Sequence, residues 1–124
     1  MTVYIIQDQK HVDKNSQLKP KFDFEPARAF GNLEFLLKPS ASPFDLKPVM
    51  KRLHQVLTNF TDGDFLLLTG NPVLLGLAVA IAADYNEGNV ALLQWSGAKR
   101  TYIPVYGKDI FLPLSDLLQD ETDA

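Results

Sequence analysis

The chain predicts an α/β fold with a mixed, mainly parallel sheet of about five strands and two main helices. Three observations predict it. Phe65-Leu66-Leu67-Leu68 is an unbroken apolar run between turn formers, the pattern of a strand buried on both faces. It breaks at Thr69-Gly70-Asn71-Pro72 and opens into an eleven-residue apolar run, Val73–Ala83, long enough for a covered helix. Strand and helix patterns then alternate from Asn32 to Trp95, giving two crossovers. Each is expected to be right-handed, which makes the core parallel.

Each element has a local cause. Thr2–Gln7 supplies the first strand through β-branched and aromatic Val3, Tyr4, Ile5 and Ile6. Asp8 to Gly31 is the least regular stretch, punctuated by Asn15-Ser16, Pro20 and Pro26. It reads as an extended loop with a mobile centre near residues 10–21. Phe22 and Phe24 alternate with charges there, as in a short edge strand or an anchored arm. Asn32–Leu37 is a second strand, and Pro39–Pro43 a turn-rich bridge. From Asp45 onward, Leu46, Val49, Met50, Leu53, Val56, Leu57 and Phe60 recur at helical spacing. Pro48 is tolerated only in a first turn, so this helix begins near Leu46 or Lys47. Its outer face carries Lys47, Lys51, Arg52, Gln55 and Thr58.

Thr61-Asp62-Gly63 stops that helix and leads into the buried strand. Asn71 caps the next helix with its side-chain oxygen, and Pro72 opens it where no N–H is needed. Because this helix is apolar nearly all round, burial on every side is expected. Asn86-Glu87-Gly88 ends it, with Gly88 in the left-handed conformation. Asn89–Trp95 is a further strand, and a five-residue polar loop returns the chain as Thr101–Tyr106, making a hairpin. Pro104 has no ladder N–H, which assigns this last strand to a sheet edge or a bulge. Ile110–Leu118 is a short segment interrupted by Pro113 and ending in a helical turn from Ser115. The sum is an abbreviated Rossmann-like layer. The sequence leaves open whether the helices share one face.

A chain of 124 residues suits a single core. Residues 1–115 form one α/β domain with a loop at about 8–31, and residues 116–124 an acidic C-terminal tail holding Asp116, Asp120, Glu121 and Asp123. Net charge is −3, divided unevenly: residues 1–60 carry nine bases against six acids, and residues 61–124 three against nine. No broad basic surface follows, which argues against strong non-specific nucleic-acid binding by a monomer. The longest apolar run falls well short of the ~20 residues a membrane span needs. The first residues lack the basic start and apolar core of an export signal. Absence of cysteine excludes disulfides, thiolate zinc sites and thiol nucleophiles. A cytoplasmic location is therefore expected.

Two constellations are candidate contact sites. Thr69, Gly70 and Asn71 lie where a strand's carboxyl end meets a helix N-terminus, a place able to hold an anion. Capping alone explains the same residues, and neither a Walker Gly-Lys-Ser/Thr nor a G-x-G-x-x-G is present. Trp95, Lys99, Arg100 and Tyr102 cluster on the hairpin, an aromatic platform beside two bases. Such a set suits a nucleobase with its phosphate, or a protein contact patch. Cross-strand aromatic pairing accounts for the ring types without either. His11 and His54 are unpaired as metal ligands or bases, and Asp62 and Asp64 read as turn and solubility residues. No catalytic residue, metal site or cofactor is expected.

The succession Val3-Tyr4-Ile5-Ile6-Gln7, Pro26-Ala27-Arg28-Ala29-Phe30-Gly31 and Phe60 to Pro72, then Asn86-Glu87-Gly88, Leu92-Leu93-Gln94-Trp95 and Lys99 to Val105, resembles small uncharacterised proteins of tailed bacteriophages. In those the turn often reads Gly-Asp-Pro and an acid often follows the tryptophan; here Asn71 and Ser96 stand at those places. The resemblance covers most of residues 1–110. It implies a small accessory protein acting in the infected cell, and it implies no catalytic residues. The expected function is thus a non-enzymatic interaction protein, phage-encoded and working in the host cytoplasm, that contacts a protein or nucleic acid. Its contact candidates are the hairpin (Trp95, Lys99, Arg100, Tyr102) and the arm around Arg28 and Phe30. The alternative is a small nucleotide- or anion-binding module using the Gly70-Asn71 turn. No membrane partner is expected, and homo-oligomer formation is left open.

Overall fold

In a computed structural model, which describes residues 1–12, 14–20 and 22–119, the chain forms strands β1 (Thr2–Gln7), β2 (Lys10–Val12) and β3 (Leu18–Pro20), then a 3-10 helix (Glu25–Phe30). There follow β4 (Asn32–Leu37), helix α1 (Leu46–Leu57), β5 (Phe65–Leu67), helix α2 (Pro72–Tyr85), β6 (Val90–Ser96), β7 (Thr101–Gly107) and helix α3 (Leu114–Leu118). Five strands make the main sheet in the order β4-β1-β5-β6-β7. The first three pairings are parallel and β6–β7 is antiparallel. Register sets Val3 between Leu33 and Phe65, and Leu92 beside Val105. This is the mixed, mainly parallel α/β sheet the sequence predicts.

Topology decides which face each helix takes. Both α1 and α2 connect parallel strands while stepping the same way along the sheet, so right-handed crossovers place them together. They share one core with Tyr4, Ile6, Leu36, Leu66 and Val90, and the open question of faces is settled: one face holds both. The step from β1 back to β4 runs the other way, and its 3-10 helix packs the opposite face. Val3, Ile5, Phe65, Leu67, Leu93 and Tyr102 meet Phe24 and Ala27 there.

Several expectations need correction. Helix α2 is not buried on every side: Leu74, Ala78, Ile81, Ala82 and Ala83 are covered, whereas Val73 is 50% exposed and Gly76 and Ala80 face outward. A single helix layer covers this sheet face, so an all-apolar helix keeps an uncovered side. The 8–31 stretch is more structured than a loop. It holds the antiparallel β2–β3 hairpin, with His11 beside Lys19, and then the 3-10 helix. Phe24 is buried, so the anchored-arm reading of that segment is the one realised. The expected mobile centre includes residues 13 and 21, and the acidic tail includes Asp120, Glu121 and Asp123; these lie outside the described residues. Of that tail, Asp116 is in α3, an exposed helix with Leu114, Leu117 and Leu118 outward.

Asp64 departs most from its sequence reading. It is a buried carboxylate, with Oδ1 accepting the Thr2 N–H at 2.9 Å and Oδ2 accepting the Thr61 N–H at 3.1 Å and its hydroxyl at 3.2 Å. It thereby ties the start of β1 to the turn before β5. Asp62 stays exposed and accepts from the Asn86 side chain at 3.0 Å. At the sheet margin, Arg52 donates from Nε to the Leu36 carbonyl (2.9 Å) and from Nη2 to that of Phe35 (3.2 Å). The other margin is β7, where Pro104 sits as expected. No helix among the described residues is long and apolar enough to cross a membrane.

Candidate functional site

The carboxyl ends of β1 and β5 lie side by side, and their chains depart to opposite faces. β1 leaves toward the 3-10 helix and β5 toward α2, so the strand order reverses direction between them. In open α/β sheets this reversal opens a crevice in which ligands bind. Here the crevice is built from Gln7, Thr69, Gly70 and Asn71. Gln7 is buried, and its Nε2 donates to the Ala41 carbonyl at 3.1 Å, with longer bonds to those of Lys38 and Pro39. Its Oε1 accepts the Asn71 N–H at 2.8 Å. Gly70 has φ +132°, and a Cβ there would stand 2.5 Å from the Gln7 Cβ. Only glycine fits against Gln7 at this turn.

Asn71 caps α2 as the sequence predicts, its Oδ1 accepting the Val73 N–H at 2.9 Å, and Pro72 occupies the first turn. The turn therefore engages two of its own donors. The Asn71 N–H belongs to Gln7, the Val73 N–H to Asn71, and Pro72 has none to offer. An anion approaching Gly70-Asn71 would have to displace these bonds.

Beside the turn, on the face of the 3-10 helix, lies a cleft of about 420 Å³ lined by Phe22, Asp23, Phe24, Leu67, Leu68, Thr69, Trp95 and Tyr102. Thr69 from the first candidate set and Trp95 and Tyr102 from the second thus meet in one cavity. Trp95 and Tyr102 are cross-strand partners, their rings edge-to-face with centroids 5.1 Å apart. Tyr102 is buried and its hydroxyl donates to the Asp23 carbonyl at 3.3 Å; Trp95 remains 48% exposed. Burial first, and then the Asp23 charge, raise the pKa of the Tyr102 hydroxyl, which keeps it a neutral donor. The Thr69 hydroxyl donates to Gln9 Oε1 at 3.2 Å. Asp23 accepts the Glu25 N–H through Oδ1 at 3.0 Å, a bond that starts the 3-10 helix.

Lys99 and Arg100 occupy the exposed hairpin turn above Trp95, outside the cleft lining. The Lys99 N–H bonds Ser96 Oγ at 3.2 Å, and Arg100 takes φ +52° to close the turn. Arg28 and Phe30 are not part of this cluster. Arg28 is exposed and pairs with Glu25 at 2.8 Å; Phe30 is half-buried, edge-to-face with Phe65 at 5.4 Å, toward the opposite end of the sheet. His54 is exposed and its Nδ1 lies 2.8 Å from the Tyr85 hydroxyl. Among the described residues no group of three or more His, Asp or Glu side chains is placed to hold a metal ion.

Sequence reasoning missed Phe22, Asp23 and Phe24 as cleft residues, and Gln7 as the bracket of the turn. The available signal was two phenylalanines within three residues of a charged segment, which need an apolar surface to lie against. What it lacked was a destination.

No curated protein and no solved structure matches the chain. A family model described as Phage Pam3 gp32-like protein matches residues 1–108, which span the whole of the main sheet and every wall of the cleft. The chain accordingly belongs to the Phage Pam3 gp32-like protein family, a family of phage proteins.

Proposed function

We propose that this protein is a small, non-enzymatic accessory protein that acts in the cytoplasm of the infected host by contacting a macromolecular partner, a protein or a nucleic acid. The contact surface is the hairpin end of the sheet: Trp95, Lys99 and Arg100, with Tyr102 behind them. One observation carries the reading. Trp95 is nearly half exposed although its ring is fixed against a buried tyrosine, so it offers a large apolar surface at little entropic cost. Exposed, pre-positioned tryptophans beside arginine are typical binding hot spots. The non-enzymatic part is supported by the separate engagements of the polar groups. Asp64 is spent on tying the start of β1 to the turn before β5, and the exposed His54–Tyr85 pair lies outside the cleft. Arg28 and Phe30 are a secondary contact candidate at the far end.

The test is capture of host-cell components by the tagged protein, with and without nuclease treatment. Trp95→Ala is expected to weaken capture by about 30-fold, a hot-spot loss of ~2 kcal/mol. Lys99→Glu with Arg100→Glu should weaken it further and make it less salt-sensitive. Equal capture by wild type and all variants would overturn the proposal. The alternative, an anion module at Gly70-Asn71, has less support because the Asn71 and Val73 N–H groups are already engaged. A thermal-shift screen with phosphates and nucleotides tests it, and Asn71→Asp abolishing any stabilisation would favour it.

A further inference from the structure

We propose that the cleft between the 3-10 helix arm and the β6–β7 hairpin binds a nucleobase, the planar ring lying between Phe22 and Trp95. This deepens the proposed function and rests on the reading that this end of the sheet is a contact surface. Four observations converge on it. First, the cleft lies beside the crevice at the carboxyl ends of β1 and β5, the place where the strand order reverses. Second, its volume of about 420 Å³ is that of a small-molecule site rather than of a packing defect. Third, half of its lining residues are aromatic. Phe24 and Tyr102 are buried in its walls, while Phe22 and Trp95 are 44% and 48% exposed. Fourth, the only cations of the hairpin, Lys99 and Arg100, stand on the turn just past Trp95, outside the apolar lining.

The chemistry of the lining selects the ligand. Stacking on exposed aromatic faces suits any flat π-system. The polar residues in the lining, Thr69 and Asp23, are acceptors in this setting. The Thr69 hydroxyl has committed its proton to Gln9 and keeps lone pairs, and the Asp23 carboxylate is anchored by the Glu25 N–H. A ring with N–H groups on its edge satisfies them, whereas a phosphate beside Asp23 would meet a carboxylate. Phosphate belongs outside, near Lys99 and Arg100. A nucleobase with its phosphate directed outward fits this polarity. A purely aliphatic side chain would leave the acceptors unmet.

Trp95 is the only tryptophan in the chain, so its fluorescence reports the cleft without interference. Two ligand sources share this chemistry: free nucleoside monophosphates and short single-stranded oligonucleotides. Each is titrated at low and high salt, with free N-acetyltryptophanamide correcting for absorbance. Saturable quenching is expected, weakened about 5- to 150-fold by Phe22→Ala as one stacking partner is lost. Thr69→Val should also weaken it, while Phe44→Ala, a 95% exposed residue outside the cleft, should leave it unchanged. Affinity that rises with oligonucleotide length and falls with salt identifies a single strand as the source. Equal affinity for monophosphate and oligonucleotide identifies the free nucleotide. Absence of quenching up to about 10 mM monophosphate, past the millimolar range of weak binding, together with silence toward oligonucleotides, overturns the inference. So does quenching that Phe22→Ala and Thr69→Val both leave intact. Should the titrations be silent while host-partner capture still depends on Trp95, the nucleobase site falls and the accessory-protein reading stands.

Discussion

Gly70 and Gln7 form a pair in which neither residue is replaceable without consequence to the other. At φ +132°, with the Gln7 Cβ 2.5 Å from where its own would be, Gly70→Ala combines backbone strain with a clash. We expect a loss of about 1–3 kcal/mol in urea unfolding, with the slope unchanged. The buried tyrosines give a pH signature. Burial, followed by the Asp64 and Glu34 charges, raises Tyr4 above its ordinary pKa against a lowering hydrogen bond from Thr2; burial and then Asp23 raise Tyr102. A raised folded-state pKa means the folded state holds its proton more tightly than the unfolded chain does. That contribution is complete below about pH 10 and is lost as pH rises through the folded values. Unfolding midpoints measured from about pH 8 upward should therefore fall on the alkaline side. Tyr102→Phe should shallow that fall. What the sequence conceals at this level is burial of polar groups. Asp64 and Gln7 look like ordinary turn and strand-end residues until the partners arrive from sixty positions away, Thr2 in one case and Asn71 in the other.

Among the secondary-structure elements, local chemistry was most readable where a single residue type has one job. Asn71 as cap, Pro72 in the first turn, Gly88 at φ +83° donating its N–H to the Ala83 carbonyl, and Pro104 on an outer strand all sit where their residue types predict. Asn71→Ala should cost about 0.5–2 kcal/mol, seen as a lowered urea midpoint with an unchanged slope. Less readable were elements whose pattern depends on what lies against them. The composition of α2 cannot say that one side of it is covered while Val73, Gly76 and Ala80 stay exposed. The Lys10–Pro20 hairpin has three-residue strands and no tight-turn signature, so no period could emerge. The cleft was legible in halves: Trp95 and Tyr102 from the hairpin, Thr69 from the turn. Only the sheet order brings β5 beside β6 and joins them.

For the molecule as a whole, the topology explains why the candidate cleft lies at one end of the sheet. Both faces are covered by connections that leave from the carboxyl ends of β1 and β5, and the divergence of those connections leaves room there. Central strands β1 and β5 carry side chains of both cores, with Ile5, Ile6 and Leu66 fully buried. Native-state hydrogen exchange should find the slowest amides in these strands, and faster exchange across Leu114–Leu118, whose side chains are exposed. Comparable rates in the two regions would contradict the arrangement of layers.

The guanidinium of Arg52 across the Phe35 and Leu36 carbonyls has an effect beyond local stability. An unpaired rim is a template on which a stranger's backbone can polymerise. Here one rim has a charged side chain set across its Phe35 and Leu36 carbonyls, and the other is interrupted by an imino acid with no proton to give. Recruitment of additional strands is thus discouraged at either boundary. Replacing that arginine with alanine should reveal the latent tendency as thioflavin-positive deposits in concentrated samples.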